Sequence, residues 1–204
     1  MTLSVWLASV QSISVGNTPV STISVGDRVV WSTFTPELAA FAAAGAYTYN
    51  IPAGCRFIDV ILLGAGSGGN AGGAGFVSGN GGAAGHWAII TLERGVDIPW
   101  SVKQITGVIG AGGTQGIYGG AAPTSGGATT AIASSWAGLT AAGGVFVNSG
   151  GSTGKAPSPA SQTVNGQTYP AGAAGKGGNG GAGGFISGSS GSPGAPGEAW
   201  FYAY

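Results

Sequence analysis

The stretch that decides the fold is GAAGKGGNGGAGGFISGSSGSPGAPG, residues 172–197. Glycine occupies every third position through residues 172–184 and, after a slip of one residue, through residues 188–197. Two further tracts share this period: residues 66–85, which also slip once, and residues 107–119. A period of three fits neither an α-helix nor a β-strand, but it is the period of the polyproline-II type of helix. We therefore predict three polyglycine-II tracts.

A polyglycine-II segment, called a rod below, makes no hydrogen bonds within itself. Glycine at every turn leaves one edge bare of side chains, so that another backbone can approach along it. The free N–H and C=O groups must then bond to neighbouring segments. We predict that the glycines face other rods or strands, and that residues 172–184 form a rod of roughly 40 Å, at about 3.1 Å per residue.

Composition limits the classes of function that are open to this chain of 204 residues. It contains 44 glycines, yet 43% of its residues are hydrophobic and six are tryptophan, which is unlike a disordered chain. Charged residues make up 6% of the chain and balance to a net charge of zero, so no basic face for nucleic acid is expected. So few charges predict a surface that is largely buried against copies of itself or other proteins.

No apolar run is long enough to span a membrane, since the longest, residues 57–63, has the length of a strand. The first residues lack the basic-then-apolar pattern of a signal peptide. The single cysteine, Cys55, excludes an internal disulfide framework and is expected to be a small buried hydrophobic residue.

Alternating apolar and polar residues predict strands outside the glycine tracts. Residues 13–20 and 23–30 form a ten-residue repeat, each half reading as strand, tight turn and strand. We predict an all-β fold: an antiparallel β-sandwich-like domain with packed polyglycine-II rods over residues 45–204, and a β-hairpin arm for docking or oligomerisation over residues 1–35. Residues 35–45 carry both helix and strand signals, and we favour extended structure.

Two of the glycine tracts share a second sequence repeat. Gly-Phe-Val-Ser-Gly at residues 75–79 matches Gly-Phe-Ile-Ser-Gly at residues 184–188, and both stand where the period slips. The slip either turns an aromatic ring inward or marks a reversal between two rods. We predict that Phe76 and Phe185 are buried, each contributing roughly 2–3 kcal/mol, and that their tracts run side by side.

Motifs that resemble catalytic or cofactor sites lack their required context. Residues 64–69 match a dinucleotide fingerprint, but more glycine follows where a helix and an acidic residue are needed. His86 could serve a hydrolase with Asp59 or Asp97, yet no nucleophile motif surrounds any serine. One cysteine and one histidine cannot make a zinc site. We predict no catalytic, cofactor-binding or metal-binding residues, no cofactor and no enzymatic activity.

The run YTYNIPAGCRFIDVILLG at residues 47–64, followed by glycine and then Gly-His-Trp-Ala at residues 85–88, resembles the glycine-rich minor tail proteins of phages infecting mycobacteria and their relatives. Later segments, among them the closing Ala-Trp-Phe at residues 199–201, are similar too. The resemblance implies a structural protein of the virion, located at the tail tip and homotrimeric, and it supplies no catalytic residues. Residues 1–35 would then bind other tail-tip proteins.

Two other functions remain open from the sequence. A broader resemblance to tail-fibre adhesins built from polyglycine-II bundles implies exposed loops that bind a glycan of the host cell envelope. A glycine-rich cell-wall protein of a host is the third class, and it would need an export signal that we do not find in the sequence. The leading prediction is a minor tail protein that assembles through its arm and exposes a rigid glycine-rich domain.

Overall fold

In the residues that the computed structural model describes, all regular secondary structure is β-strand. The structure describes residues 13–15, 18–20, 22–26, 28–146 and 156–204, and within them no helix is long and apolar enough to cross a membrane. The strands are β1 Ile13–Val15, β2 Thr18–Val20, β3 Thr22–Val25, β4 Arg28–Ser32, β5 Glu37–Phe41, β6 Gly45–Asn50, β7 Phe57–Leu63, β8 Trp87–Glu93, β9 Gln104–Ile109, β10 Thr129–Ala133, β11 Trp136–Ala141, β12 Gln162–Val164, β13 Gln167–Tyr169 and β14 Glu198–Ala203. The predicted all-β fold is confirmed.

Two four-stranded antiparallel sheets form a sandwich, with strand orders β5-β14-β7-β8 and β11-β10-β9-β6. Alternation along β6 turns Tyr47 and Tyr49 into the core. Phe201 of β14 is fully buried, and its ring stacks on that of Tyr49 with centroids 4.3 Å apart. Aromatic side chains therefore hold the two sheets together.

Strand β7 is buried on both faces because a hairpin covers the side that the second sheet does not. This hairpin, β12 and β13, turns at Asn165 and Gly166, whose φ angles of 48° and 79° fit the tight turn typical of an Asn-Gly pair. The Asn165 amide donates to both carboxylate oxygens of the buried Asp59, at 3.0 Å each. Tyr169 at the hairpin's end packs beside Trp200, which closes a second hydrophobic cluster.

Residues 37–41, for which the sequence carried both helix and strand signals, form the edge strand β5. It pairs antiparallel with β14, so that Glu37 lies opposite Ala203 and Phe41 opposite Ala199. The favoured extended structure is confirmed. Since β14 follows directly on the last glycine tract, the chain enters the sandwich at the end farthest from that tract.

The N-terminal repeat forms two separate hairpins, β1 with β2 and β3 with β4, as its pattern predicts. Gly26, at the second turn, has a φ of +60°. The Gly16-Asn17 turn and Asp27 lie outside the described residues. The division into an arm over residues 1–35 and a domain over residues 45–204 stays a prediction.

Six of the sandwich strands continue directly into, or arise directly from, glycine-rich rods. The described residues contain seven such rods: rod 1 is 64–73, rod 2 is 79–86, rod 3 is 110–116, rod 4 is 123–128, rod 5 is 142–146, rod 6 is 176–184 and rod 7 is 188–197. Rods 4 and 5 lack a sustained three-residue period and were not predicted. All seven extend from the same end of the sandwich.

Rod 1 lies at the centre, and its N–H groups point in three directions in strict rotation. Gly64, Ala65 and Gly66 donate to rods 2, 4 and 7, with N···O distances of 2.9 to 3.0 Å, and residues 67–69 repeat the same order. Its carbonyl groups accept from the other three rods: Ala65 from rod 5, and others from rods 3 and 6. This threefold rotation is the hydrogen-bonding expected of polyglycine II.

The six outer rods also bond to one another and close a ring in the order 2, 6, 7, 3, 4, 5 and back to 2. The last closure is the bond from the His86 N–H to the carbonyl oxygen of Ala142, at 2.9 Å. One chain thus builds a complete hexagonal bundle of one rod inside six. The prediction that the tract glycines face another backbone is confirmed for the bundle, where an added Cβ would overlap carbonyl groups of neighbouring rods.

Several tract glycines depart from the predicted extended rods. Gly172 and Gly175 have φ angles of 55° and 63° and belong to a turn, so rod 6 begins at Lys176. Its nine residues span about 28 Å instead of the predicted 40 Å. Gly107 lies within β9, because the sandwich strand runs further than the glycine period indicates.

Candidate functional site

Three loops join the rods at the end of the bundle that is remote from the sandwich. Residues 74–78 connect rods 1 and 2, residues 117–122 connect rods 3 and 4, and residues 185–187 connect rods 6 and 7. Gly75 N–H donates to the carbonyl oxygen of Phe185 at 3.2 Å, which ties the first loop to the third. The loops therefore form one surface.

This surface carries large hydrophobic side chains in solvent. Phe185 and Ile186 are 77% and 80% exposed, and Phe76 and Val77 are 71% and 62% exposed. We define the apolar tip as six exposed residues from the three loops: Phe76, Val77, Ile117, Tyr118, Phe185 and Ile186. Scattered exposed apolar residues are common on proteins, but a contiguous group marks an interaction surface.

The predicted burial of Phe76 and Phe185 is wrong, whereas the predicted neighbourhood of their tracts is confirmed. The two ring centroids lie 6.2 Å apart, and rods 1 and 6 run parallel with a bridge between Ala74 and Gly184. The slip marks a reversal between rods, which was one of the two alternatives. Rods packed through glycine leave no room for a ring inside the bundle, so both rings point outward.

Phe76 has an unfavourable backbone conformation. Its φ is 63°, directly after Gly75 with a φ of 72°. The left-handed region suits glycine and asparagine and costs another residue about 1–2 kcal/mol. Phe185, at the matching position of the other loop, is not among the described non-glycine residues with positive φ. Strain of this kind at an exposed aromatic residue points to a function rather than to stability.

We expect Phe76→Asn to stabilise the protein by about 1 kcal/mol, because asparagine relieves the strain and little burial is lost. The melting temperature should rise by about 2–4 °C in thermal unfolding followed by circular dichroism. Phe185→Asn is the matched control and should bring no gain. A loss of roughly 2–3 kcal/mol in Phe76→Asn would instead support the burial predicted from the sequence.

The bundle that carries the apolar tip is almost free of charge. Lys176 is the one Lys, Arg, Asp or Glu among the rods and tip loops defined above, and it stands at the base of rod 6. The charged residues of the sandwich lie elsewhere, for example Arg56, whose guanidinium pairs with Glu93 at 2.8 Å. The tip therefore presents no charge to a partner.

The residues singled out for possible chemistry do not come together. The N–H groups of residues 64–69 all donate to neighbouring rods, and none remains to bind a phosphate. His86 is exposed at the base of rod 2, while Asp59 is buried and hydrogen-bonded to Thr91 and Asn165. Asp97 accepts from the backbone of Glu93. Among the residues that the structure describes, no three potential metal ligands form a group.

Sequence reasoning missed one buried cation, Arg94, which is 2% exposed. Its guanidinium donates to the carbonyl oxygens of Trp100 and Val102, at 2.8 and 3.0 Å, and lies 4.7 Å from the centre of the Trp100 ring. The group fixes the connection between β8 and β9. Nothing in the local sequence marks it, because its partners are carbonyl groups of a loop.

Cys55 is completely buried beside Arg94, as its expected role as a small hydrophobic residue requires. Burial raises the pKa of the Cys55 thiol, and the nearby Arg94 guanidinium offsets this only in part. The thiol therefore stays neutral at physiological pH. It donates to the carbonyl oxygen of Pro52 at 3.2 Å.

Comparison with known proteins gives a family and two relatives. The model of the family described as "Glycine-rich domain" matches residues 42–183. The chain is 48% identical to the "Gene 32 protein" of Mycobacterium phage D29 over 173 residues, which are 82% of this chain and 78% of that protein. It is 50% identical to the "Gene 32 protein" of Mycobacterium phage L5 over 161 residues, 74% of this chain and 70% of that protein.

Proposed function

The chain belongs to the glycine-rich domain family and is similar to phage gene products, and from this premise we propose that it is a structural protein of a phage virion at the tail tip. In this proposal it assembles through its N-terminal arm and exposes the rod bundle. It binds no cofactor and catalyses no reaction. Three findings support the proposal: the phage relatives, the rigid bundle, and the placement of the chain entry and the apolar tip at opposite ends of the domain.

The observation that carries the proposal is this placement. The chain enters the sandwich at Glu37, which pairs with Ala203 at the end of β14, and the rods leave the sandwich from the opposite end. An assembly that holds residues 1–35 would therefore point the apolar tip away from itself. A domain that is anchored at one end and apolar at the other suits a projecting part of a particle.

Rigidity of the bundle supports a structural role. Each rod bonds to three or six others through backbone groups, so that no rod can bend without breaking several hydrogen bonds. The net contribution of one hydrogen bond to stability is about 0.5–1.5 kcal/mol, and such bonds occur along the whole length of the bundle. In the proposed assembly, a rigid bundle of this kind would hold the apolar tip at a fixed distance from the sandwich.

We propose a homotrimer for the assembled protein, on two grounds. Charged residues are 6% of the chain, which leaves a surface suited to association. The hairpins β1-β2 and β3-β4 are each two-stranded, and isolated two-stranded hairpins are marginally stable in water. Pairing of these hairpins between copies, or with other tail-tip proteins, would supply the missing partners.

Deletion of residues 1–30 is expected to convert the trimer into a monomer and to abolish incorporation into virions. The glycine-rich domain should keep its thermal unfolding transition, because the core cluster and the rod bonds that the structure describes are formed by residues 34–204. Native mass spectrometry of the purified protein measures the first effect. Mass spectrometry of virions, grown from phage whose own copy of the gene carries the deletion, measures the second.

Full-length protein produced in the same way is the control, and it should be found in purified virions. If it is absent from virions, or if the deleted form enters them normally, the proposed role is wrong. A stable monomer of the full-length chain at micromolar concentration would contradict the trimer but not the virion location.

A host-surface adhesin is the second candidate, and the exposed apolar tip favours an adhesive role. The earlier prediction named a glycan of the cell envelope as its ligand. Glycan sites combine aromatic faces with hydrogen-bonding side chains. In the tip loops the only polar side chains beside Phe76 and Phe185 are Ser78, Tyr118 and Ser187. The tip thus supports adhesion more than it supports a sugar ligand.

A further inference from the structure

We propose that the apolar tip inserts into the acyl-chain layer of a lipid membrane. The inference deepens the proposed function, on which it rests, by giving the outward-facing end of the domain a partner of defined chemistry. Phe76 and Phe185 would be the principal anchors, with Val77 and Ile186 beside them. These four side chains are the most exposed members of the tip.

The side chains themselves indicate a hydrocarbon partner. Each of the four is aliphatic or a phenyl ring, without a hydrogen-bonding group, and each is 62% to 80% exposed. Transfer of such groups from water into an acyl layer is favourable in proportion to the apolar area removed from water. The Tyr118 hydroxyl lies 3.5 Å from the carbonyl oxygen of Ile186, at the side of the group, where an aromatic residue with one polar atom suits the headgroup boundary.

The absence of charge at the tip favours insertion into the acyl layer over electrostatic binding to lipid headgroups. Peripheral proteins that bind anionic headgroups carry several Lys or Arg residues near the membrane. The rods and tip loops carry only Lys176, at the end of rod 6 farthest from the tip. A neutral apolar tip complements the neutral interior of a lipid layer, and its binding should not depend on salt.

Shape and rigidity also fit insertion. The loops project from the end of a bundle whose rods are fixed by backbone hydrogen bonds, and the rings of Phe76 and Phe185 are exposed on them. A preorganised projection loses little conformational freedom on binding. A projecting apolar group suits a partner that deforms around it, as acyl chains do.

The test uses the full-length protein and vesicles of neutral phosphatidylcholine, with binding measured by flotation in a density gradient. We expect the protein to float with the vesicles to the same extent at low and high NaCl. The double variant Phe76→Asn with Phe185→Asn should lower the partition coefficient about tenfold or more for each ring removed. Folding of the double variant is checked by its thermal transition.

Val96→Asn is the matched control, since Val96 is 67% exposed at the opposite end of the molecule and should not affect flotation. The proposal is wrong if the protein does not float, if it floats only with anionic vesicles and is released by salt, or if the double variant floats as well as the parent. It is also wrong if the tip binds a glycan or a second copy of the chain and not vesicles. Because virion incorporation is not involved, failure here leaves the proposed location standing, and failure of that location leaves lipid binding standing.

Discussion

Gly181→Val is expected to abolish folding of the rod bundle, with a loss of more than about 4 kcal/mol in the free energy of unfolding. An added Cβ at Gly181 would overlap the main-chain carbonyl of Ser189 in rod 7. The Gly181 N–H donates to the carbonyl oxygen of Asn70 in rod 1, and the Gly181 carbonyl oxygen accepts from the N–H of Gly79 in rod 2, both at 2.8 Å. Separating rod 6 from rod 7 would therefore break bonds to three neighbours, and the clash involves backbone that cannot rotate away.

Ala182→Val is the control for this prediction, because Ala182 is the next residue of the same rod and its side chain is exposed. It adds two methyl groups to an existing Cβ and should change stability by less than about 0.5 kcal/mol. Urea denaturation of both variants measures the difference. Equal stability of the two would show that rods 6 and 7 are not packed as the structure has them.

Arg94→Ala is expected to lower the free energy of unfolding by about 3–5 kcal/mol. The substitution removes the Arg94 donor from the carbonyl oxygens of Trp100 and Val102, and the Trp100 oxygen keeps only its bond from the Lys103 ammonium, at 3.0 Å. Leaving a buried polar group unpaired costs about 1–3 kcal/mol. It also opens a cavity beside the Trp100 ring, which the guanidinium contacts from 4.7 Å. Thermal and urea unfolding of the purified variant measure the loss.

Arg56→Ala is the matched control, since its guanidinium forms a half-exposed ion pair with Glu93. Surface ion pairs contribute about 0–1 kcal/mol, so the effect should be several times smaller than at Arg94. If Arg94→Ala were as mild as Arg56→Ala, the buried guanidinium would not be the group that fixes the connection between β8 and β9.

The glycine period predicted the rods because backbone contact demands glycine at each turn that faces a neighbour. It could not predict rods 4 and 5, which are short and reach their neighbours through paired glycines, Gly126 with Gly127 and Gly143 with Gly144. Their place is set by the strands on either side, which is information about the tertiary fold. The number of rods, and hence the hexagonal ring, was not visible in any one tract.

Strands and turns with strong local signals were predicted well, while contacts between distant residues were not. The Asn165-Gly166 turn follows from residue type, since both tolerate positive φ. That Asn165 also binds the buried Asp59 depends on a separation of 106 residues, which no local pattern reports. The sequence left helix and strand open for residues 35–45. The structure forms a strand there because the edge of β14 has backbone groups that a strand can pair with and a helix cannot.

The burial predicted for Phe76 and Phe185 failed for a physical reason. It assumed that an aromatic ring amid glycine must seek a core, yet a bundle packed backbone to backbone has no core that admits a ring. The low content of charged residues can also be explained by the rod bundle of a single chain. The rods satisfy their polar backbone groups against each other and need few charged side chains, so the 6% charge is one ground for the proposed trimer and not a sufficient one.

The threefold rotation of hydrogen bonds around rod 1 also restricts how such a domain can change in length. An insertion of one or two residues within a rod would turn every later N–H toward the wrong neighbour, whereas three residues restore the direction. Growth in matched triplets on both arms of a rod hairpin would raise its loop by about 9 Å per step without disturbing the lattice. Related domains can therefore differ in reach by discrete increments, and single-residue insertions should be confined to the loops where rods reverse.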